Sequence, residues 1–185
     1  MIVLHHCVSA RSFRPLWMLE ELGAAYELRM LPFPPRVLAR AYLDLNPLGT
    51  VPLLVDGPTR MTESAAMCQY LAERCDPAGT TGLAVRRDEP AYGMWLNWLH
   101  HGESTLTFPQ TIVLRYGRFE PAERRLPQAA DDYAKWFVAR LRGIDAALAG
   151  NDWLCAGRFT AADVSVGYAL LLASHLDLVA RFPPN

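Results

Sequence analysis

Lysine is nearly missing from this chain of 185 residues: Lys135 stands alone beside 17 arginines. Nor is there an excess of one charge, since 18 basic side chains face 19 acidic ones for a formal charge of −1. A nucleic-acid binder carries a basic excess or a basic stripe, so nucleic acid is not an expected partner. Long hydrophobic runs are missing as well. A membrane span needs ~20 apolar residues, whereas the most apolar stretch, 164–173, is about half that length and contains Ser165 and Gly167. No membrane partner is expected. Cys7, Cys68, Cys75 and Cys155 form no CxxC and no metal-ligand spacing, so no metal is expected and free thiols in a reducing compartment are. The N-terminus, Met1-Ile2-Val3-Leu4-His5-His6, lacks a basic n-region and a cleavage pattern. The expected location is the cytoplasm. What is present, 51% hydrophobic and 20% charged residues, is ordinary for a globular protein and excludes disorder or a disulfide scaffold.

The punctuation of the chain gives its organisation. Residues 2–8 are short and apolar, as a buried first strand is. Ser12 then stands at the start of a predicted helix over 13–22, with Pro15 in its first turn and Gly23 at its end. Residues 26–31 read as a second strand, completing a βαβ opening. A predicted helix over 37–45 ends at Asn46-Pro47-Leu48-Gly49. Two strands flank Asp56-Gly57-Pro58 as a hairpin, and a helix over 63–75 follows. The order is β-α-β-α-β-β-α, complete by residue 76. Residues 77–85 read as a linker, and 86–185 as an all-helical domain. Within that domain, helices are predicted over 86–116, with a kink at Pro109, and over 121–148. A third starts at Thr160 with Asp163 as its capping-box partner.

Four segments resemble the glutathione S-transferase superfamily, in its order and across essentially the whole chain. They are Ser9-Ala10-Arg11-Ser12-Phe13-Arg14 leading into Trp17-Met18-Leu19-Glu20-Glu21-Leu22-Gly23, then Asn46-Pro47-Leu48-Gly49-Thr50-Val51-Pro52. Thr62-Glu63-Ser64-Ala65-Ala66 and Gly157-Arg158-Phe159-Thr160-Ala161-Ala162-Asp163 complete the set. The resemblance implies a thioredoxin-like α/β domain over 1–76 followed by the helical domain, with glutathione as co-substrate. It also implies a homodimer. In this superfamily the Val-Pro bond matching Val51-Pro52 is cis and turns the Val51 backbone toward the ligand's cysteine.

Glu63 and Ser64 open a helix, whose unpaired N–H groups and positive dipole end favour an anion such as the γ-glutamyl carboxylate. The chemistry also needs a thiolate, and a thiol of pKa around 8.5 is ionised by a well-placed donor. Ser9, Ser12 and Arg11, in that order, are the candidates in the loop before the first helix; either serine serves equally as a turn or cap residue. Relatives often carry Lys or Gln where this chain has Thr50, so Arg36 or Arg40, each equally readable as a solvated helix residue, is the candidate to take over the glycine carboxylate. His101, Ser104 and Phe108, on the first helix of the helical domain, are the expected acceptor-pocket residues.

The implied activity is the addition of glutathione to an apolar electrophile, a detoxification reaction. Two alternatives stand beside it: a glutathione-dependent isomerase of the maleylacetoacetate isomerase type, and a non-catalytic module that binds ligands or proteins. Against the family the chain looks short. It stops at Phe182-Pro183-Pro184-Asn185 where relatives start another helix, which is expected either to be absent or to lie outside the given sequence.

Overall fold

Leu4 lies between Leu28 and Leu54, and that register sets the centre of a four-stranded sheet. In the computed structural model, which describes residues 1–182, the chain forms two compact units, Met1–Ala84 and Val85–Asn185. Pro183, Pro184 and Asn185, on which the expected end of the helical domain falls, lie outside the described residues.

The first unit runs β1 (Ile2–His6), α1 (Phe13–Glu21), β2 (Tyr26–Met30), α2 (Pro35–Leu38), β3 (Leu53–Asp56), β4 (Thr59–Met61) and α3 (Ser64–Cys75). The strand order is β2-β1-β3-β4, with β1 and β2 parallel and the other pairs antiparallel. Parallel β1 and β2 need a crossover, which α1 supplies. On α1 the buried face is Arg14, Pro15, Met18 and Leu19, and α1 packs against α3, whose buried residues include Met67, Cys68 and Leu71. This is the thioredoxin-like arrangement that the element order implies.

One element departs from the pattern. The spacing predicts a single helix over 37–45; the structure has α2 and then a separate 3-10 turn, Arg40–Asp44. The break is at Ala39, whose φ of −137° and ψ of 63° are not helical.

The second unit contains α4 (Tyr92–His101), α5 (Phe108–Leu114), α6 (Pro127–Leu148) and α7 (Ala161–His175). The helix predicted from 86 begins only at Tyr92, because Glu89 holds the preceding turns: its carboxylate accepts from the Arg86 N–H and from both Arg158 Nη atoms. Between α4 and α5 the helix continues as a π segment, Gly102–Thr107. Pro109 has no N–H for the carbonyl four residues back, and the Thr107 hydroxyl donates to the Gly102 carbonyl at 2.7 Å. The expected kink is therefore a wider helical turn. The helix expected from 121 starts at Pro127, after a 3-10 turn at Ala122–Arg124.

Helix α7 is apolar almost all round, as a central helix is; Val164, Val166, Tyr168 and Ala169 are all buried. Its capping box is formed. The Thr160 hydroxyl accepts from the Ala162 N–H, and Asp163 accepts from the Thr160 N–H at 2.8 Å and the Leu154 N–H at 3.0 Å. Within the described residues no helix is long and apolar enough to cross a membrane.

Candidate functional site

The loop between β1 and α1 separates the two serines that the sequence offers together. Ser12 is fully buried, its Oγ accepting from the Cys7 N–H at 3.2 Å and donating to the Cys7 carbonyl at 3.4 Å. It occupies the N-cap position of α1 but makes no capping bond with its side chain. The expected cap is thus replaced by a clamp on β1. Ser9 is exposed at the tip of the turn with φ +57°, a left-handed conformation uncommon for serine. Arg11 is half-buried on the same loop. The neighbouring Cys7 thiol donates to the Pro32 carbonyl, and burial pushes it up, so it stays protonated.

The 46–52 loop is built around Asn46. Its Nδ2 donates to the Thr50 carbonyl at 2.8 Å, and its Oδ1 accepts from the Leu48 N–H at 3.2 Å. The Tyr42 hydroxyl donates to the same Thr50 carbonyl at 2.7 Å. Gly49 has φ +61°, and a Cβ there would lie 2.6 Å from the Arg36 Cβ. Only glycine lets the loop approach α2 this closely, and Gly49 thereby lies against exposed Arg36. Val51-Pro52 is cis. The Val51 side chain packs with Cys7, Tyr42 and Leu53, while its N–H and C=O have no partner among the described residues.

At the start of α3, Glu63 is the N-cap and is exposed, whereas Ser64 is buried. The first intrahelical bond is Met67 N–H to the Glu63 carbonyl at 2.9 Å, which leaves the N–H groups of Ser64, Ala65 and Ala66 without helical acceptors. Arg14, which the sequence reading assigned no role, is 0% exposed and donates from Nη1 to Ser64 Oγ at 3.1 Å. Its guanidinium also lies close enough to act on Cys68, one turn further along α3, whose thiol burial pushes up to about 12 against that pull. Sequence spacing carries no signal for this contact, which only the packing of α1 on α3 creates.

In the second unit, His101 and Ser104 line an open groove of about 460 Å³ with Leu96, Asn97 and His100. The His101 ring meets Trp98 edge-on, its Nε2 has no partner among the described residues, and burial holds its pKa below the usual histidine value. Phe108 does not line that groove; it is 51% exposed and meets the Tyr133 ring. His5 and His6, adjacent on β1, both titrate lower than usual because of burial. Among the described residues, no three His, Cys, Asp or Glu side chains are grouped to hold a metal.

A thioredoxin-like sheet carrying an open backbone edge at Val51 and a free helix start at Ser64, followed by a helical unit, defines a class of two-unit α/β-plus-helical folds with groups free to take an extended, anionic peptide. Known proteins agree with that class. Residues 8–74 match the family model for the glutathione S-transferase N-terminal domain. Glutathione S-transferase 3 of Schizosaccharomyces pombe is 29% identical, over 99% of this chain and 78% of its own length. Glutathione S-transferase 1 of the same yeast is 30% identical, over 86% and 70%. A glutathione transferase family member from Pseudomonas fluorescens, solved with two glutathione bound, shares the fold at a TM-score of 0.81 and 22% identity, covering 98% of this chain and 83% of that one. The chain belongs to the glutathione S-transferase superfamily.

Proposed function

We propose that the chain is a glutathione transferase, which binds glutathione, stabilises its thiolate and adds it to an apolar electrophile. The observation that carries this reading is the unpaired Val51 backbone: an N–H and a C=O held open side by side are what an extended peptide pairs with. The cysteine residue of glutathione supplies the complementary pair. Its γ-glutamyl carboxylate is taken by the first turn of α3 and the Ser64 hydroxyl, and its ammonium by Glu63. Arg36, against Gly49, takes the glycine carboxylate.

Ser9 is the preferred donor to the sulfur. Ser12 gives its proton to the Cys7 carbonyl, which leaves Ser9 first and Arg11 second for stabilising the thiolate. In the reaction the sulfur lone pair forms the new carbon–sulfur bond, and the leaving group departs with its bonding electrons. His101 and Ser104 are the acceptor-side residues. The homodimer, the cytoplasmic location and a role in detoxification belong to the same proposal.

The test is direct. The purified chain is expected to be retained on immobilised glutathione and to conjugate a generic aryl halide. Retention with no conjugation and no thiol ionisation turns the reading into a glutathione-binding module. Turnover of a cis-enone without net conjugation turns it into an isomerase.

A further inference from the structure

We infer that Arg14 is a positioning residue for anion capture: it aims the Ser64 hydroxyl proton at the carboxylate of the incoming ligand. The inference rests on the glutathione reading above.

Arginine carries five donors and no acceptor, so the 3.1 Å contact has one possible direction: Nη1 donates and Ser64 Oγ accepts. A hydroxyl that accepts in this way keeps its own proton for a different partner. That proton has no acceptor among the described residues. Ser64 is only 3% exposed, so the hydroxyl is held in one place by a charged donor and presents a proton in a fixed direction.

The electrostatics point the same way. A helix start is positive, and a cation beside it has the wrong sign for the helix's own stability. The Arg14 guanidinium, fully buried, is nevertheless placed at the first turn of α3, where it acts on both Ser64 and Cys68. Three positive contributions then converge: the guanidinium, the unpaired N–H groups of Ser64–Ala66, and the helix dipole. Local rules are broken in this way at functional sites. Being buried, Arg14 does not touch the ligand; it acts through Ser64, which a charged donor polarises into a stronger donor of its own. The ligand group that satisfies this arrangement is a carboxylate, and a neutral group in its place gains nothing from it.

The test compares two ligands. One is glutathione; the other is 4-aminobutyryl-cysteinylglycine, which lacks only the γ-glutamyl carboxylate. Dissociation constants are measured by calorimetry for the wild type, Arg14→Met, Arg14→Lys and Ser64→Ala. The wild type is expected to prefer glutathione by about tenfold or more, as charge-assisted bonds do. Arg14→Met should lose that preference to the level of Ser64→Ala while binding the analogue within about twofold of wild type. Arg14→Lys, a point charge without the forked donor, should fall between them. Arg14→Met retaining the full preference, or weakening both ligands equally, overturns the inference and leaves the glutathione reading intact. A wild type that binds neither ligand overturns that reading and this inference with it. If Arg14→Met does not fold, Arg14→Lys decides: an undiminished preference overturns the inference, and a reduced one supports it.

Discussion

Replacing Asn46 with alanine removes the side chain that fixes the 46–52 loop without touching a residue that the proposed function sets against glutathione. Asn46 is 3% exposed. Its Nδ2–Thr50 carbonyl bond of 2.8 Å and its Oδ1–Leu48 N–H bond of 3.2 Å both disappear. The third contact, to the Tyr42 hydroxyl at 3.4 Å, is at the limit of a hydrogen bond and contributes little. Thr50 keeps its bond from Tyr42, so one acceptor is half-satisfied, while the Leu48 N–H is left without its partner. At about 1 kcal/mol per neutral bond, with an added cost for the stranded N–H, the loss is about 2–3 kcal/mol. For a chain of this length that is a melting-temperature drop of about 5–10 °C. Circular dichroism melts give the stability, and calorimetry of the folded variant at low temperature gives the glutathione affinity, which should also fall because Thr50 and Val51 are no longer held. Asn46→Asp is the sharper control. It keeps the shape but sets a carboxylate against the Thr50 carbonyl, so only its protonated form can donate there. The folded-state pKa is raised, and stability should be recovered as pH falls toward about 4 and lost as pH rises above it. A melting temperature within about 1 °C of wild type for Asn46→Ala, or an unchanged glutathione affinity, refutes the role given to Asn46.

Gly102→Ala should be the most damaging single methyl in the second unit. The added Cβ would lie 2.4 Å from Ser165 Oγ and 2.6 Å from the Ser165 backbone, which cannot move aside without shifting α7. A loss of about 3 kcal/mol or more in urea unfolding is expected, and a loss under about 1 kcal/mol sinks the packing account. Asp76 accepts from the N–H and hydroxyl of both Thr80 and Thr81, and these bonds, led by the Thr81 hydroxyl, hold its carboxyl well below the usual range. A depressed folded-state pKa stabilises above the unfolded value of about 4 and is lost as pH falls further. The stability gap between wild type and Asp76→Asn should therefore narrow from neutral pH to strongly acid pH; a gap that stays constant contradicts the assignment.

Much of the fold was legible because local chemistry wrote it. Thr160 and Asp163 stand at capping-box spacing, and both bonds of the box form. Gly57 follows Asp56 at a hairpin turn where φ is positive. Other features depend on contacts that sequence spacing does not carry. The π segment follows from Pro109 together with the Thr107 hydroxyl and from Gly102 meeting Ser165, an encounter between distant helices. Ser12 reads as a cap or a thiol donor because its neighbours in sequence allow both; its side chain bonds the Cys7 N–H and C=O and makes no capping bond. Arg14 escaped notice for the converse reason: an arginine on a helix reads as solvated, and only the packing of α1 on α3 brings it to Ser64.

Whether a donor in the β1–α1 loop ionises bound glutathione is measured directly by the pH dependence of its thiolate ultraviolet absorbance. Bound glutathione is predicted to titrate below the pKa of about 8.5 of a free thiol, and Ser9→Ala should move it back toward that value with the tripeptide still bound. A wild-type complex that titrates like free glutathione contradicts the central claim. A shift that survives Ser9→Ala takes the role of thiolate donor from Ser9.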